Sequence, residues 1–403
     1  MKVSVIIVSY NVKHYLAQCL FSIFKSDLPS NEYEVFVIDN ASNDNTPQHI
    51  QKIFSQDKYP NLKFITGKRN VGFGRANNEC IRQANGKYIL FLNPDTIIGE
   101  TTLSQSINFA EKHSEMGGHG VMMLKDNGEF AFESRRGLPT PWVSFCKMSG
   151  LQSLFPKSKL FGKYYMRYLD QEEVCKIDII SGAYFFTSKS ALSEVGLFDE
   201  DFFMYGEDID LSYRMIKQGY INYYLPSPIL HYKGESTHKS TFRYVHVFYG
   251  AMLTFFKKHF RTYWLGVSIP IKIAIFLKAI LALTVAEIKK LKKFLFPIKK
   301  YKKHNFIYIG KHQDIISELA KRWWLNMEYV EADSKSFNPS LLNNTNFICK
   351  DLYTHVVFDI EDFNNDFILD FFRKSEHKAY MGTYNPTENV LITATRVFSN
   401  ETK

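Results

Sequence analysis

The sequence predicts an α/β fold whose main sheet is largely parallel and carries helices on both faces. Two observations lead there. Strand-like and helix-like segments alternate from residue 3 to residue 92, a pattern that builds parallel sheets. The apolar run at residues 89–92 then stops abruptly on Asn93-Pro94-Asp95. A buried strand ending on a carboxylate puts that acid at the C-terminal edge of the sheet, where open α/β folds keep their ligands. Asp is rarely left unpaired in a core, so an acid held there contacts a metal or a ligand hydroxyl.

The elements follow in order. Val3–Ser9 is an apolar run of strand length, and the next segment places Leu16, Leu20, Ile23 and Phe24 on one helical face. Residues 34–39 form the second strand, ending on Asp39-Asn40. A polar turn at 41–46 leads into a helix reaching about Gln56. Leu62–Thr66 is the third strand, 74–84 a helix and 89–92 the fourth strand. Residues 125–180, rich in Gly, Pro and basic side chains, read as irregular chain folded over the sheet edge. Strand character resumes at 181–186. A helix spans 209–218, with Gly219 as its C-terminal cap.

Composition bounds the function. At 403 residues the chain exceeds one ordinary domain, and its 45% hydrophobic content supports a packed core. A net charge of +9 favours anionic partners. Cys19, Cys80, Cys146, Cys175 and Cys349 are odd in number and never closely paired, as in reduced thiols, and they show no zinc spacing. Met1 leads directly into a short β-branched run without a signal-peptide pattern, which predicts a cytoplasmic location. Basic residues cluster beside an apolar helix rather than among stacking aromatics, which argues against nucleic acid.

Two of the predicted strands end in an acid, Asp39 and Asp95. Paired carboxylates on one sheet edge suit a nucleotide donor, one acid for base or ribose and one for a metal-bridged diphosphate. Asp39 could equally cap a turn. Three further acids, Glu207, Asp208 and Asp210, precede Leu211 at a predicted helix N-terminus, where carboxylates are stabilised. Arg135-Arg136 is either a solvated pair or a bidentate phosphate contact.

Val5-Ile6-Ile7-Val8-Ser9-Tyr10-Asn11 resembles the first strand of the family-2 glycosyltransferases, which have the GT-A fold: Rossmann-like, with a largely parallel mixed sheet. Val37-Ile38-Asp39-Asn40 looks like their nucleotide-binding strand end, and Asn70-Val71-Gly72 like their Asn-x-Gly loop. Asn93-Pro94-Asp95 is similar to the metal-binding Asp-x-Asp slot, in a form frequent in the bacterial rhamnosyltransferase-like branch. Gly206-Glu207-Asp208 resembles the motif that carries the base. The likeness runs in order over residues 3–245.

The resemblance implies an inverting transfer of a sugar from a nucleotide-diphosphate sugar to an acceptor hydroxyl, in cell-surface polysaccharide or lipid-linked glycan assembly. It makes Asp208 the base with Glu207 as neighbouring candidate. It puts the donor on Tyr10, Asn11, Asp39, Asn70, Gly72 and Asn93, and a divalent ion (Mn2+ or Mg2+) on Asp95 with His231. Asn93 removes one charge from the consensus metal site, so metal affinity should be low or depend on bound donor. Two other readings stay open, a catalytically inactive sugar-nucleotide-binding subunit and a nucleotidylyltransferase on a similar sheet.

Three regions are expected: residues 1–247 as the transferase domain, 248–303 as a basic, apolar helical segment, and 304–403 as a small α/β domain. Residues 264–286 are long enough to cross a bilayer, but Pro270, Lys272 and Lys278 interrupt them. A helix lying in the interface ranks first, a transmembrane span second, and a buried helix third. This predicts membrane-surface contact through 257–296, a lipid-linked or glycan acceptor, and a peripheral position on the cytoplasmic face of the bacterial inner membrane.

Overall fold

A computed structural model of the protein describes residues 1–232, 242–260, 288, 305–338, 355–375 and 379–400. Its larger sheet begins with β1 (Val3–Ser9), β2 (Tyr33–Asp39), β3 (Leu62–Thr66) and β4 (Tyr88–Leu92), all parallel. Helices α1 (Lys13–Phe24), α2 (Thr46–Ile53) and α3 (Phe73–Ile81) connect them. Side-chain alternation divides the core into two layers. Ile6, Val8, Phe36, Ile38 and Phe91 face one, while Val5, Ile7, Val35, Val37 and Leu90 face the other. Because β1, β2 and β4 are covered on both sides, they read as near-continuous apolar runs.

The sheet continues through β5 (Thr96–Ile98), α4 (Thr102–Lys112) and β6 (Met116–Leu124). Residues 125–180 are more ordered than expected. They contain α5 (Pro141–Ser149), α6 (Leu151–Leu154) and β7 (Cys175–Ile177). The Thr140 hydroxyl accepts the Val143 N–H, and Pro141 opens α5, an N-terminal arrangement written in the sequence as Thr-Pro. Then come β8 (Tyr184–Ser188), α7 (Lys189–Val195), α8 (Glu207–Lys217), β9 (Ile221–His231) and α9 (Phe242–His259). The sheet order is β3-β2-β1-β4-β8-β6-β9-β5, with β7 against β9. Helix α8 starts two residues earlier than predicted, so all three acids lie inside its first turn.

Register brings the candidate site residues to one edge. Ile7 pairs with both Val37 and Leu92, so β1, β2 and β4 end level with one another. Antiparallel β8 enters at that same point, Leu92 opposite Tyr184. Antiparallel β9 finishes there too, with His231 opposite Thr96.

A second sheet is built from β10 (Asn305–Ile309), α10 (Gln313–Arg322), β11 (Asn326–Val330), β12 (His355–Asp359), α11 (Asn365–Lys374), β13 (Tyr380–Asn385), β14 (Val390–Thr393) and β15 (Val397–Phe398). Its order is β11-β10-β12-β13-β14-β15, the first four strands parallel. It packs against the first sheet. Ile307, Phe358 and Phe372 share a core with Ile6, Phe91 and Leu230, and the Tyr15 hydroxyl donates to the Thr393 carbonyl at 2.9 Å. The 264–286 segment lies outside the described residues. Among those described, no helix is long and apolar enough to cross a membrane.

Candidate active site

A cleft of about 690 Å3 runs along the common edge of β1, β4, β8 and β9. Tyr10, Asn70, Gly72, Asn93, Glu207, Asp208 and His231 all line it. Asp95, only 2% exposed, sits behind His231, and Asp39 and Asn11 stand at the same sheet edge outside the cleft lining.

The loops that follow β1, β2 and β3 are tied together by backbone-mimicking side chains. Asn11, at φ 56°, donates its N–H to Ser42 and accepts the Asn43 N–H, stitching the end of β1 to that of β2. Asp39 is wholly buried. One carboxylate oxygen accepts the Ser42 N–H at 2.9 Å and the other has no hydrogen bond. Turn capping therefore uses only half of this acid. Asn40 donates to Asn70 and accepts the Val71 N–H, holding the Asn70–Gly72 loop beside β2. Gly72 has φ +88°, and a Cβ there would meet the Phe203 carbonyl at 2.4 Å. The Phe73 N–H donates to that same carbonyl, so this loop and the one preceding α8 are locked together.

On the floor, the Asp95 carbonyl accepts the Tyr232 N–H, which holds the strand end against His231. The imidazole Nε2 lies 3.3 Å from Asp95 Oδ1 and 3.3 Å from the Asn93 amide nitrogen. Yet Asp95 Oδ1 is buried without a hydrogen bond. A buried carboxylate oxygen left unsatisfied beside an imidazole is costly unless a further group completes it. This oxygen and nitrogen donor set fits Mg2+ or Mn2+, which prefer oxygen and accept imidazole.

On the opposite wall, Asp208 forms an ion pair with Arg136 and accepts the Gly182 N–H at 3.1 Å. Arg136 also donates to the Ile180 carbonyl at 2.8 Å, which fixes the guanidinium. Glu207 is buried and one of its oxygens has no partner. Burial first, and then the neighbouring Asp208 charge, push its carboxyl up to about 8. Asp210, the third acid, has a structural setting. It accepts hydrogen bonds from Arg214 at 2.8 Å and His259 at 2.6 Å, with Lys258 at 2.8 Å. Burial opposes its charge, but the bonds from His259 and Lys258 hold its carboxyl well below the usual range.

Of the arginine pair, Arg135 faces inward. It stacks over Phe130 and Tyr224 and donates to the Asp170 carbonyl, away from the cleft. The sequence reading missed Asn40, Lys147, Tyr164 and Tyr205 as lining residues. Asn40 was legible, standing next to Asp39 at a strand end. Among the described residues one group of three His/acid side chains is close enough to share a cation, namely His312, Asp359 and Asp362 in the second sheet. Its atoms are already engaged, since Asp359 Oδ2 accepts from Tyr308 at 2.6 Å and His312 at 2.9 Å, and Asp362 accepts the Lys311 N–H at 2.6 Å.

Residues 4–196 match the family model described as Glycosyl transferase family 2. Residues 4–196 are thus a glycosyltransferase family 2 domain. Glycosyltransferases also appear among curated relatives. The chain is 28% identical over 261 residues to N-acetylglucosaminyl-diphospho-decaprenol L-rhamnosyltransferase of Mycobacterium tuberculosis, covering 59% of this chain and 82% of that protein. It is 34% identical over 140 residues to the poly(ribitol-phosphate) beta-N-acetylglucosaminyltransferase TarS of Staphylococcus aureus, covering 34% of this chain and 22% of that one. Among solved structures, S. aureus TarS 1-349 is similar at TM-score 0.42 and 22% identity, over 63% of this chain and 64% of that one. The Pyrobaculum calidifontis mannosyltransferase PcManGT, in complex with GDP-Man and Mn2+, is similar at TM-score 0.45 and 18% identity, over 73% and 81%. The matched residues include strands β1 to β8 and the Asn93–Asp95 edge.

Proposed function

We propose that this glycosyltransferase is an inverting enzyme that moves a sugar from a nucleotide diphosphate to a hydroxyl of a lipid-linked or polymeric cell-surface glycan. The observation that carries the reading is the composition of one cleft. His231, with an unsatisfied buried Asp95 oxygen behind it, forms its floor, and the Arg136–Asp208 pair with Glu207 forms its wall. The lipid-linked acceptor class is supported by the rhamnosyltransferase and by a 24% identical Methanococcus voltae relative named as acting on a dolichyl phosphate-linked sugar.

Of the two adjacent wall acids, Glu207 is pushed up to about 8 by burial and the Asp208 charge, which favours its protonated form and makes it the poorer proton acceptor. Proton removal falls to Asp208, whose orientation Arg136 and the Gly182 N–H set. As the acceptor oxygen attacks the anomeric carbon from the face opposite the leaving group, Asp208 takes the hydroxyl proton. Tyr10, Asn40 and the Asn70–Gly72 loop line the donor side, and Asp39, with one oxygen unbonded, is the candidate for the nucleotide base or ribose. Asp95 and His231 would hold the divalent ion, with the Asn93 side chain beside them. When bound, the ion neutralises charge growing on the departing diphosphate.

Because Asn93 is neutral, the metal site carries a single carboxylate. Mn2+ should bind weakly to the free enzyme and at least tenfold more tightly once nucleotide diphosphate supplies its own oxygens. Calorimetric titration of Mn2+ with and without nucleotide checks this, and tight binding to the empty enzyme contradicts it. The reaction class is tested by incubating the protein with nucleotide sugars labelled in the sugar. Label should pass to an acceptor glycan, whereas release of pyrophosphate would assign nucleotidyl transfer instead.

A further inference from the structure

The strongest feature outside the cleft is a surface patch on α5, α6 and the chain just after them. Trp142 is 46% exposed, Phe145 54%, Leu154 72%, Phe155 51% and Leu160 58%. They form one patch. The Trp142 ring lies 5.7 Å from Phe145 and 6.2 Å from Phe161, and Phe161 lies 5.4 Å from Phe155. The indole N–H is satisfied internally by the Leu160 carbonyl at 3.2 Å, which leaves the apolar ring for the outside. A contiguous apolar patch on a water-facing surface marks an interaction site.

Charge decides the partner. The sequence has no Asp or Glu from Ser134 to Leu169, and acids resume only at Asp170. Within that stretch Lys157 and Lys159 are exposed beside the patch, and Lys163 is partly so. Trp, Phe and Leu projecting among lysines is the composition of a surface seated at the boundary between headgroups and acyl chains. Anionic headgroups add attraction for each nearby lysine.

The patch also stands beside the cleft. A smaller cavity of about 90 Å3 lies behind α5, walled by Met148 and by Ala251, Met252, Phe255 and Phe256 of α9. Lys147, Tyr164, Tyr205, Gly206 and Ile209 line both this cavity and the cleft, so the apolar space continues into the site. At their junction the Lys147 ammonium sits 3.3 Å from the centre of the Tyr164 ring.

We propose that the 142–161 patch docks on an anionic lipid bilayer and turns the mouth of the cleft toward the membrane. Presentation of a lipid-borne acceptor through the adjoining apolar cavity rests on the function proposed above, whereas docking itself does not. In sequence it is distinct from the basic segment at 257–296.

The test is flotation of the full chain with phosphatidylcholine vesicles, with and without phosphatidylglycerol. Wild type should float with the anionic vesicles. Replacing Phe145, Leu154 and Phe155 together by serine should cut the bound fraction about tenfold or more, since each removes apolar area from the lipid contact. The double variant Lys157→Glu/Lys159→Glu should lose the preference for anionic lipid. None of these residues contributes to the cleft lining, so binding of nucleotide sugar, read by thermal shift, should be unchanged and also reports folding. Equal flotation of wild type and the serine variant would overturn the proposal. So would failure of wild type to float, or a change in oligomeric state in the serine variant without a change in flotation. Loss of transfer to every acceptor with flotation intact would count against the enzyme reading and leave the docking surface standing.

Discussion

At the scale of single residues, Glu207 and Asp208 show how adjacent acids in one helical turn meet different surroundings. Asp208 meets Arg136 and the Gly182 N–H, while Glu207 is buried with an unpartnered oxygen. The folded state therefore holds a proton on Glu207 that the unfolded chain releases near its ordinary value of 4.5. Between about 4.5 and about 8 the native state binds more protons, so this residue's contribution to stability falls as pH rises and is lost above about 8. Glu207→Gln should flatten that decline by roughly 1 kcal/mol or more, since a tenfold change in proton affinity corresponds to about 1.4 kcal/mol. Urea unfolding of both proteins at pH 5 and pH 8 reads it, and parallel declines would contradict it. The acids themselves were legible, because Asp39, Asp95 and Glu207–Asp208 stand where an apolar run ends or a helix begins. Their partners were not. Arg136 meets Asp208 across 72 positions of sequence, and no local pattern encodes such a contact.

At the scale of elements, α8 is held by Asp210 and Arg214. Asp210 links α8 to α9 through His259 and Lys258, and Arg214 reaches the Val195, Gly196 and Leu197 carbonyls. Removing the buried charge strands these cations, so Asp210→Asn should destabilise the protein by about 3 kcal/mol. Its Asp208 neighbour faces the cleft, so donor affinity in the folded fraction should change little. Chemical denaturation with a donor-binding assay separates the two effects. Strands β1, β2 and β4 were readable because both faces are buried and the runs are unbroken. Two others escaped. Strand β6 carries three glycines and a buried histidine, His119, which stacks on Phe186 and which burial holds neutral, its pKa lowered to about 3. Its Gly118 lies where a Cβ would meet the Phe186 carbonyl at 2.7 Å, so the glycine that obscures the pattern permits the packing. Strand β9 contains Pro226 and Pro228, which break the strand pattern. The register with β6 shifts at that point, from Val121 opposite Leu225 to Met122 opposite Pro228, which accommodates residues lacking an N–H.

At the scale of the whole molecule, the second sheet is bound to the first by reciprocal helix-end contacts. The Glu100 carboxylate accepts the N–H groups of Asn365 and Asp366 at 2.8 and 2.9 Å, capping α11 from the other domain. Asp366 in turn accepts from the N–H and hydroxyl of Thr101. Glu100→Ala should therefore lower stability by about 2 kcal/mol, in the range for charge-assisted bonds, and expose the second sheet to proteolysis before the first. Thermal melting with timed protease digestion measures both. The hairpin at Lys125–Glu129 is gripped as well: Met381 donates to the Asp126 carbonyl, and Gly128 packs on the Phe372 backbone. Lys125 and Asp126 line the cleft, so the second sheet buttresses one rim of the site. The small α/β unit could be read from its strand and helix periods. Its seat could not, because Glu100 and Asp366 find each other only in three dimensions.

The central claim is that Asp208 removes the acceptor proton in a site that binds donor through other residues. Its direct test is sugar transfer by wild type and Asp208→Asn, with donor affinity measured on the same preparations by calorimetry. Transfer should fall by about 10³-fold, within the span of general-base catalysis, while donor affinity stays within roughly threefold. Near-normal transfer by Asp208→Asn would contradict the assignment.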